Sequence, residues 1–140
     1  MIQQGLTTSF KQELLQGVQS FGTGDMKLAL YTALADIGPN TTLYTTSNEV
    51  VGTGYTAGGV VLTGMTITAD TQTGTVYVDF NNASWPGADF TARGGLIYNA
   101  TQGNRSVAVL DFGSDKTFTS ANNTVTMPAN TATTALIRFP

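Results

Sequence analysis

The stretch GLIYNATQGNRSVAVLDF, residues 95–112, decides the fold class of this chain. Two apolar runs rich in β-branched and aromatic residues, 95–100 and 106–112, flank the polar segment TQGN. Short runs of this kind on either side of a glycine-containing turn are typical of a β-hairpin. The sequence therefore predicts two antiparallel strands at this point.

Strand signals recur on both sides of this hairpin. Residues 59–69 and 75–80 flank the turn DTQTG and predict a second hairpin. Seven or more short strands at close spacing are typical of an all-β sandwich or barrel. We therefore expect a mainly β chain, a single-domain antiparallel β-sandwich of jelly-roll-like type over residues 1–140. The further predicted strands lie at 26–32, 123–128 and 134–139, with a short one at 49–51.

One segment near the N-terminus predicts a helix. Apolar residues recur there at helical spacing, at Phe10, Leu14, Leu15, Val18 and Phe21. A capping-box sequence begins at Ser9, and Gly22 supplies a stop signal. We expect one N-terminal α-helix at about residues 8–21. Its interior Gly17 costs about 1 kcal/mol relative to alanine, so the helix depends on docking against other elements.

The charge content of the chain limits its partners. Only 11% of the 140 residues are charged, and the net charge is −3 with six basic residues. Nucleic-acid binding normally requires clustered Lys or Arg, so we expect no nucleic-acid partner. No apolar run approaches the roughly 20 residues of a membrane span, so we expect no membrane partner.

The chain contains no cysteine and no histidine. The commonest general base, the commonest metal ligand and the thiolate metal site are therefore excluded. Asp79, Asp111 and Asp115 are the carboxylates with most potential for chemistry, but their settings favour a strand face and a turn. No D-x-D-x-D-G run predicts a calcium loop. We expect no enzyme activity, no catalytic residue, no cofactor and no metal.

The glycine-rich stretch EVVGTGYTAGGVVL, residues 49–62, invites comparison with phosphate-binding loops. A P-loop needs a lysine after its last glycine, and a dinucleotide fingerprint leads into a helix. Here no lysine follows, the spacing is G-x-G-x-x-x-G from Gly52 to Gly58, and a strand pattern comes next. The stretch therefore predicts a glycine turn before a strand. It closes a long excursion at 36–59, a length typical of functional or mobile loops.

The single tryptophan, Trp85 in NNASWPGADF, has two interpretations. With Phe90 or Tyr98 it could form a face on which a sugar ring stacks, as in a carbohydrate-binding module. An aromatic residue beside Pro and Gly more often anchors a loop onto the core. The second interpretation is favoured, and the first is kept as an alternative.

Several phrases of the sequence together resemble a family of small virion structural proteins of tailed bacteriophages. The resemblance runs from about Gly5 to Phe139, nearly the whole chain. The phrases are GLTTSFKQELLQGV, MKLALYT, YTTSNEVVGTGYTAGG, FTARGGLIYN and AVLDFGSDKT.

The resemblance implies a capsid cement or decoration protein on the outer surface of the head, made in the host cytoplasm. Its partner would be the major capsid protein, and it would act as a homo-oligomer, a dimer or trimer. The alternative is a tail, neck or fibre component. The arm 1–6 is expected to lie along a capsid neighbour, and the loop 38–58 to carry aromatic contacts. The residues expected at the partner interface are Met1, Ile2, Gln3, Gln4, Leu6, Tyr44, Tyr55 and Trp85.

Overall fold

A computed structural model describes residues 1–22 and 24–140 of the chain. The described residues are mainly β, with antiparallel sheets and one helix. This confirms the predicted fold class and is compatible with a single β-sandwich-like domain. The elements, in chain order, are β1 (Gly5–Leu6), α1 (Thr8–Leu15), β2 (Met26–Tyr31), β3 (Val60–Val61), β4 (Thr66–Asp70), β5 (Thr75–Asp79), β6 (Ala83–Ser84), β7 (Phe90–Asn99), β8 (Arg105–Phe118), β9 (Thr124–Val125) and β10 (Ile137–Phe139).

The strands form three antiparallel sheets. The largest has five strands in the order β1-β8-β7-β2-β3. A three-stranded sheet has the order β10-β5-β4, and β6 pairs with β9. Both predicted hairpins, β4–β5 and β7–β8, are present, and both strands of the second are longer than predicted. The long β7–β8 pair forms the centre of the molecule.

The first core lies between the largest sheet and the two smaller ones. Alternate residues of β2, Met26, Leu28 and Leu30, face it and are almost completely buried. They meet side chains of the smaller sheets, such as Val78 and Ile137. The period-2 pattern of the sequence therefore identifies this face correctly.

The opposite face of the largest sheet is buried as well. Ala29 and Tyr31, the alternate residues of β2, belong to a second core with Leu96 and Tyr98 of β7. The excursion that follows β2 contributes Ala35, Ile37 and the half-buried Tyr44 to this core. The excursion therefore covers a sheet face that would otherwise be exposed.

The helix is shorter than predicted. Its N-cap is Thr7, whose hydroxyl accepts a hydrogen bond from the Phe10 amide at 3.3 Å, so the prediction of a cap at Ser9 was wrong. It ends at Leu15 because Gly17 adopts a φ of 72°, and the Val18 amide donates to the Glu13 carbonyl at 2.8 Å. This is a Schellman-type ending, in which a left-handed glycine closes the last turn. The glycine that the pattern placed inside the helix therefore terminates it.

The predicted strand 59–69 is two strands in different sheets. β3 pairs with β2, and β4 pairs with β5. Gly64 lies between them with a φ of 64°, a conformation that lets the chain turn from one sheet to the other. The short strand predicted at 49–51 is a single bridge between Glu49 and Tyr31.

Candidate functional site

A cluster of polar groups surrounds the carboxylate of Glu49, a residue that is 7% exposed. Tyr44 donates its hydroxyl to Oε1 at 2.6 Å, and Tyr55 donates to Oε2 at 2.5 Å. The Gly58 amide donates to the same Oε2 at 2.8 Å. A buried carboxylate is normally paired with a basic side chain or hydrogen-bonded. Here three hydrogen-bond donors satisfy it.

Two further tyrosines complete the cluster, which we call the tyrosine cluster: Tyr31, Tyr44, Tyr55 and Tyr98 around Glu49. The Tyr98 hydroxyl donates to the Gly58 carbonyl at 2.6 Å, and its ring stacks on Tyr44 with centroids 4.7 Å apart. The Tyr31 hydroxyl donates to the Thr45 carbonyl at 2.6 Å. Four of the five tyrosines of the chain therefore converge on one segment.

The cluster holds its phenols in the protonated form. Burial raises the pKa of Tyr55 and Tyr44 well above the ordinary value, and the hydrogen bond each donates to Glu49 adds to the rise. Burial, with the nearby Glu49 charge, also raises the pKa of Tyr31, and it raises that of Tyr98 to about 12. Because a phenolate beside a carboxylate is unfavourable, these groups act as hydrogen-bond donors and not as bases.

The tyrosine cluster attaches the excursion 36–59 to the largest sheet. Tyr55 also accepts a hydrogen bond from the Leu30 amide at 2.9 Å, which joins the glycine-rich stretch to β2. Main-chain bonds add to this, from Val50 to the Leu30 carbonyl and from Tyr44 to the Asn104 carbonyl. Together these bonds hold the long loop 36–59 against the sheet.

The glycines of the glycine-rich stretch allow the loop to pack closely against the sheet. Gly58 and Gly59 have φ values of 96° and 78° and lead directly into β3. A Cβ on Gly59 would lie 1.8 Å from the Leu28 carbonyl oxygen, so the backbones approach too closely for a side chain there. The prediction of a glycine turn before a strand is confirmed.

The N-terminal arm packs on its own domain; the buried Ile2 corrects its assignment to a partner interface, and the contact of residues 1–6 with a capsid neighbour stays a prediction. Ile2 is buried and forms a bridge with Ile37, and Leu6 pairs with Ala108 of β8. The side chain of Gln4 accepts a hydrogen bond from the Asp111 amide at 3.1 Å. Met1 and Gln3 keep exposed side chains. Backbone pairing with β8 holds the arm in place because it satisfies polar groups of a sheet edge.

Trp85 lies in the core, which corrects its assignment to a partner interface. It is 2% exposed and packs edge-on against Phe118, with ring centroids 5.7 Å apart. Tyr98 is also buried, and it belongs to the second core. No sugar-stacking face can form from two buried rings, so the carbohydrate-binding alternative loses its proposed site.

Tyr44 and Tyr55 are the two residues of the excursion that were predicted at a partner interface. The structure brings them together, and their hydroxyls bind Glu49. Both rings are half-buried. Sequence reasoning missed Glu49 as their common partner. The available signal was a lone acidic residue just before a glycine-rich stretch, with a tyrosine on each side.

An apolar groove with a volume of about 350 Å³ lies between the helix region and the three-stranded sheet. Phe10, Leu14 and Phe21 form one wall, and side chains of β4, β5 and β10 form the other. Ile67 and Val76 remain 55% and 40% exposed beside it. Among the described residues no strand pairs with the outer edge of β4. We call this region the β4 surface. It carries both exposed apolar side chains and main-chain groups that no described strand pairs with.

Residues 1–22 and 24–140 contain no group of three or more Asp, Glu, His or Cys side chains placed to hold a metal. Among the same residues no helix has the length and hydrophobicity to cross a membrane. Comparisons with protein-family models, curated proteins and solved structures found no match.

Proposed function

We propose that this chain is a non-enzymatic structural protein of a tailed bacteriophage virion, a cement or decoration protein of the capsid. It binds the major capsid protein on the outer surface of the head and stabilises contacts between its subunits. The proposal is supported by the resemblance of its sequence phrases to small virion structural proteins. It is also supported by the β4 surface, which is the observation that carries it.

The β4 surface suits a role in assembly for two physical reasons. An open strand edge can extend a partner's sheet through main-chain hydrogen bonds, which require no particular side-chain charge. The exposed Ile67 and Val76 add apolar area that a partner would remove from water. In a symmetric shell, modest contacts of this kind are repeated many times, and the repetition supplies avidity.

Assembly as a dimer or trimer belongs to the same proposal. The low charge content, 11%, reduces the desolvation penalty that opposes association. Light scattering of the purified chain should give twice or three times the monomer mass of 14.7 kDa. A monomer at every concentration would contradict this part of the proposal.

The first test is the copy number of this chain relative to the major capsid protein in purified particles, by quantitative mass spectrometry. A ratio near one, or a simple fraction of it, would support capsid cement. A few copies per particle would favour the alternative, a tail, neck or fibre component. Absence of the chain from the particles would overturn both.

The second test concerns the β4 surface. We expect Ile67→Lys to reduce binding to particles that lack the chain, because it places a charge beside the groove and the open edge. Val51→Lys is the matched control, since Val51 is 96% exposed and lies outside the groove. Equal binding by both variants would remove the β4 surface from the proposal.

A further inference from the structure

Asp79, at the end of β5, has an unusual environment for a carboxylate. It is 2% exposed, and its Oδ1 accepts a hydrogen bond from the Phe80 amide at 2.9 Å. Its Oδ2 is buried and accepts no hydrogen bond from any described residue. The ion pairs found among residues 1–22 and 24–140 involve Asp36, Asp111 and Glu13, and none includes Asp79.

A buried carboxylate without a partner is unfavourable. Ionised groups in protein interiors are normally paired, hydrogen-bonded or bound to a metal. Burial raises the pKa of Asp79, with the hydrogen bond from Phe80 acting in the opposite direction. Among the described residues only the Phe80 amide bonds this carboxylate, and its Oδ2 is left without a partner.

Asp79 is one of the residues that line a pocket of about 300 Å³, the Asp79 pocket, between the β4–β5 hairpin and residues 127–130. Most polar side chains around it are amides and a hydroxyl. Asn130 donates its amide nitrogen to Thr66 Oγ1 at 3.0 Å, and Asn81 donates its nitrogen toward Thr63 at 3.5 Å. These two amides use their nitrogens on neighbouring hydroxyls and keep their oxygens as acceptors, whereas the oxygen of the third amide, Asn82, accepts a hydrogen bond from the Met127 amide at 2.8 Å.

We propose that the Asp79 pocket binds a hard divalent cation, with Ca²⁺ as the best match, through Asp79 and the neutral oxygens around it. Ca²⁺ accepts carboxylate, amide and main-chain oxygens in irregular geometry, whereas Mg²⁺ demands a near-ideal octahedron. The cation supplies the positive charge that pairs with the Asp79 carboxylate. With a single carboxylate the affinity falls in the weak class of calcium sites, with a dissociation constant of about 10⁻³ M.

This site differs from the acidic clusters that define stronger calcium loops. One carboxylate with neutral oxygen ligands escapes a search for three acidic side chains, and it has no D-x-D-x-D-G signature. Ca²⁺ binding at Asp79 does not require the capsid role proposed above, although Thr66 of the pocket belongs to β4. Binding there would tie β5 to the segment that leads to β10.

The test is thermal unfolding of the full chain in EDTA and in about 10 mM CaCl₂, with ionic strength matched by NaCl, together with calorimetric titration of CaCl₂. A site of millimolar affinity raises the melting temperature of a chain of this size by about 4 °C. We expect that shift in the wild type and in Asp115→Asn, a control that removes an exposed carboxylate. We expect Asp79→Asn to lose the shift.

The outcomes are distinguishable. No shift and no binding heat in the wild type would overturn the proposal, and so would an equal shift in Asp79→Asn. If Asp79→Asn does not fold, a variant of the exposed Asn130 tests the proposal instead. We expect Asn130→Ala to weaken Ca²⁺ binding several-fold, and an unchanged dissociation constant would overturn the proposal.

Discussion

The hydroxyl of Tyr55 donates a hydrogen bond to Glu49 Oε2 over 2.5 Å, and this contact closes the first turn of the glycine-rich stretch 49–62 on itself. The same hydroxyl accepts from the Leu30 amide of β2, so it links loop and sheet in one group. Glu49 carries the negative charge of the cluster, and three donors surround it. The stability of the covered sheet face should therefore depend on this carboxylate.

We expect Glu49→Gln to destabilise the protein by about 2 kcal/mol, because the amide nitrogen of Gln replaces an acceptor and leaves one buried donor unpaired. For a chain of this size the melting temperature should fall by about 7 °C. The matched control is Asp115→Asn, at an exposed position, which should change it little. Equal stability of Glu49→Gln and wild type, by urea titration, would show that the cluster does not stabilise the loop.

Alkaline titration should show that the four phenols of the tyrosine cluster ionise at higher pH in the folded protein than in the unfolded chain. At about pH 11 we expect Tyr31, Tyr44, Tyr55 and Tyr98 to stay protonated in the folded protein, because their pKa values are raised. In the unfolded chain they ionise near the ordinary value of 10. The stabilisation is therefore complete below pH 10 and is lost as the pH rises through the folded pKa values.

The measurement is the tyrosinate absorbance of folded protein against protein in denaturant. Tyr55→Phe serves as a comparison that removes one cluster phenol. If all five tyrosines of the folded chain ionise together at the ordinary pKa, the phenols are exposed and the described cluster is not formed in solution.

Asp79 should give the protein a measurable pH dependence when Ca²⁺ is removed by EDTA. Burial raises its pKa in the folded protein above the ordinary value for an aspartate, so protonation favours the folded state. The associated stability is present below the unfolded pKa and is lost as pH rises through the folded pKa. Asp79→Asn should therefore gain stability relative to the wild type between about pH 4 and pH 7. A stability difference that stays constant over this range would contradict the prediction.

Trp85 should behave as a core residue in two measurements. Its emission should resist quenching by acrylamide until the chain unfolds, since it is 2% exposed. Trp85→Ala should cost about 3–5 kcal/mol, because it leaves a cavity beside Phe118. Since it is the single tryptophan of the chain, both readouts are unambiguous. Strong quenching in the native state would place the ring at the surface and restore the sugar-stacking interpretation.

Gly17→Ala should destabilise the protein by about 1 kcal/mol, although a Cβ there would meet nothing within 4 Å. The cause is the backbone, which has a φ of 72° at this position. Leu15→Ala is the control, because Leu15 is 89% exposed and is the last residue of the regular helix, two residues before Gly17. A neutral Gly17→Ala would indicate that the helix continues past Gln16 in solution.

The sequence by itself determined the class of the fold and the location of its two hairpins. These features depend on local patterns: residues two apart share a sheet face, and glycine-containing turns join adjacent strands. The β2 alternation and the β7–β8 turn could be recognised from neighbouring residues alone. The glycine turn before β3 was predicted for the same reason.

The tertiary structure decided the helix end, the second core and the site. Gly17 could continue the helix or end it, and a difference of about 1 kcal/mol is too small for local sequence to decide. The donors to Glu49 lie within nine residues of it, but Tyr31 and Tyr98 join the cluster only after the excursion folds back on β2 and β7. The unpaired oxygen of Asp79 likewise depends on residues 127–130 reaching β5. Contacts between segments far apart in the chain depend on the whole packing arrangement, because each is stabilised only once the others have formed.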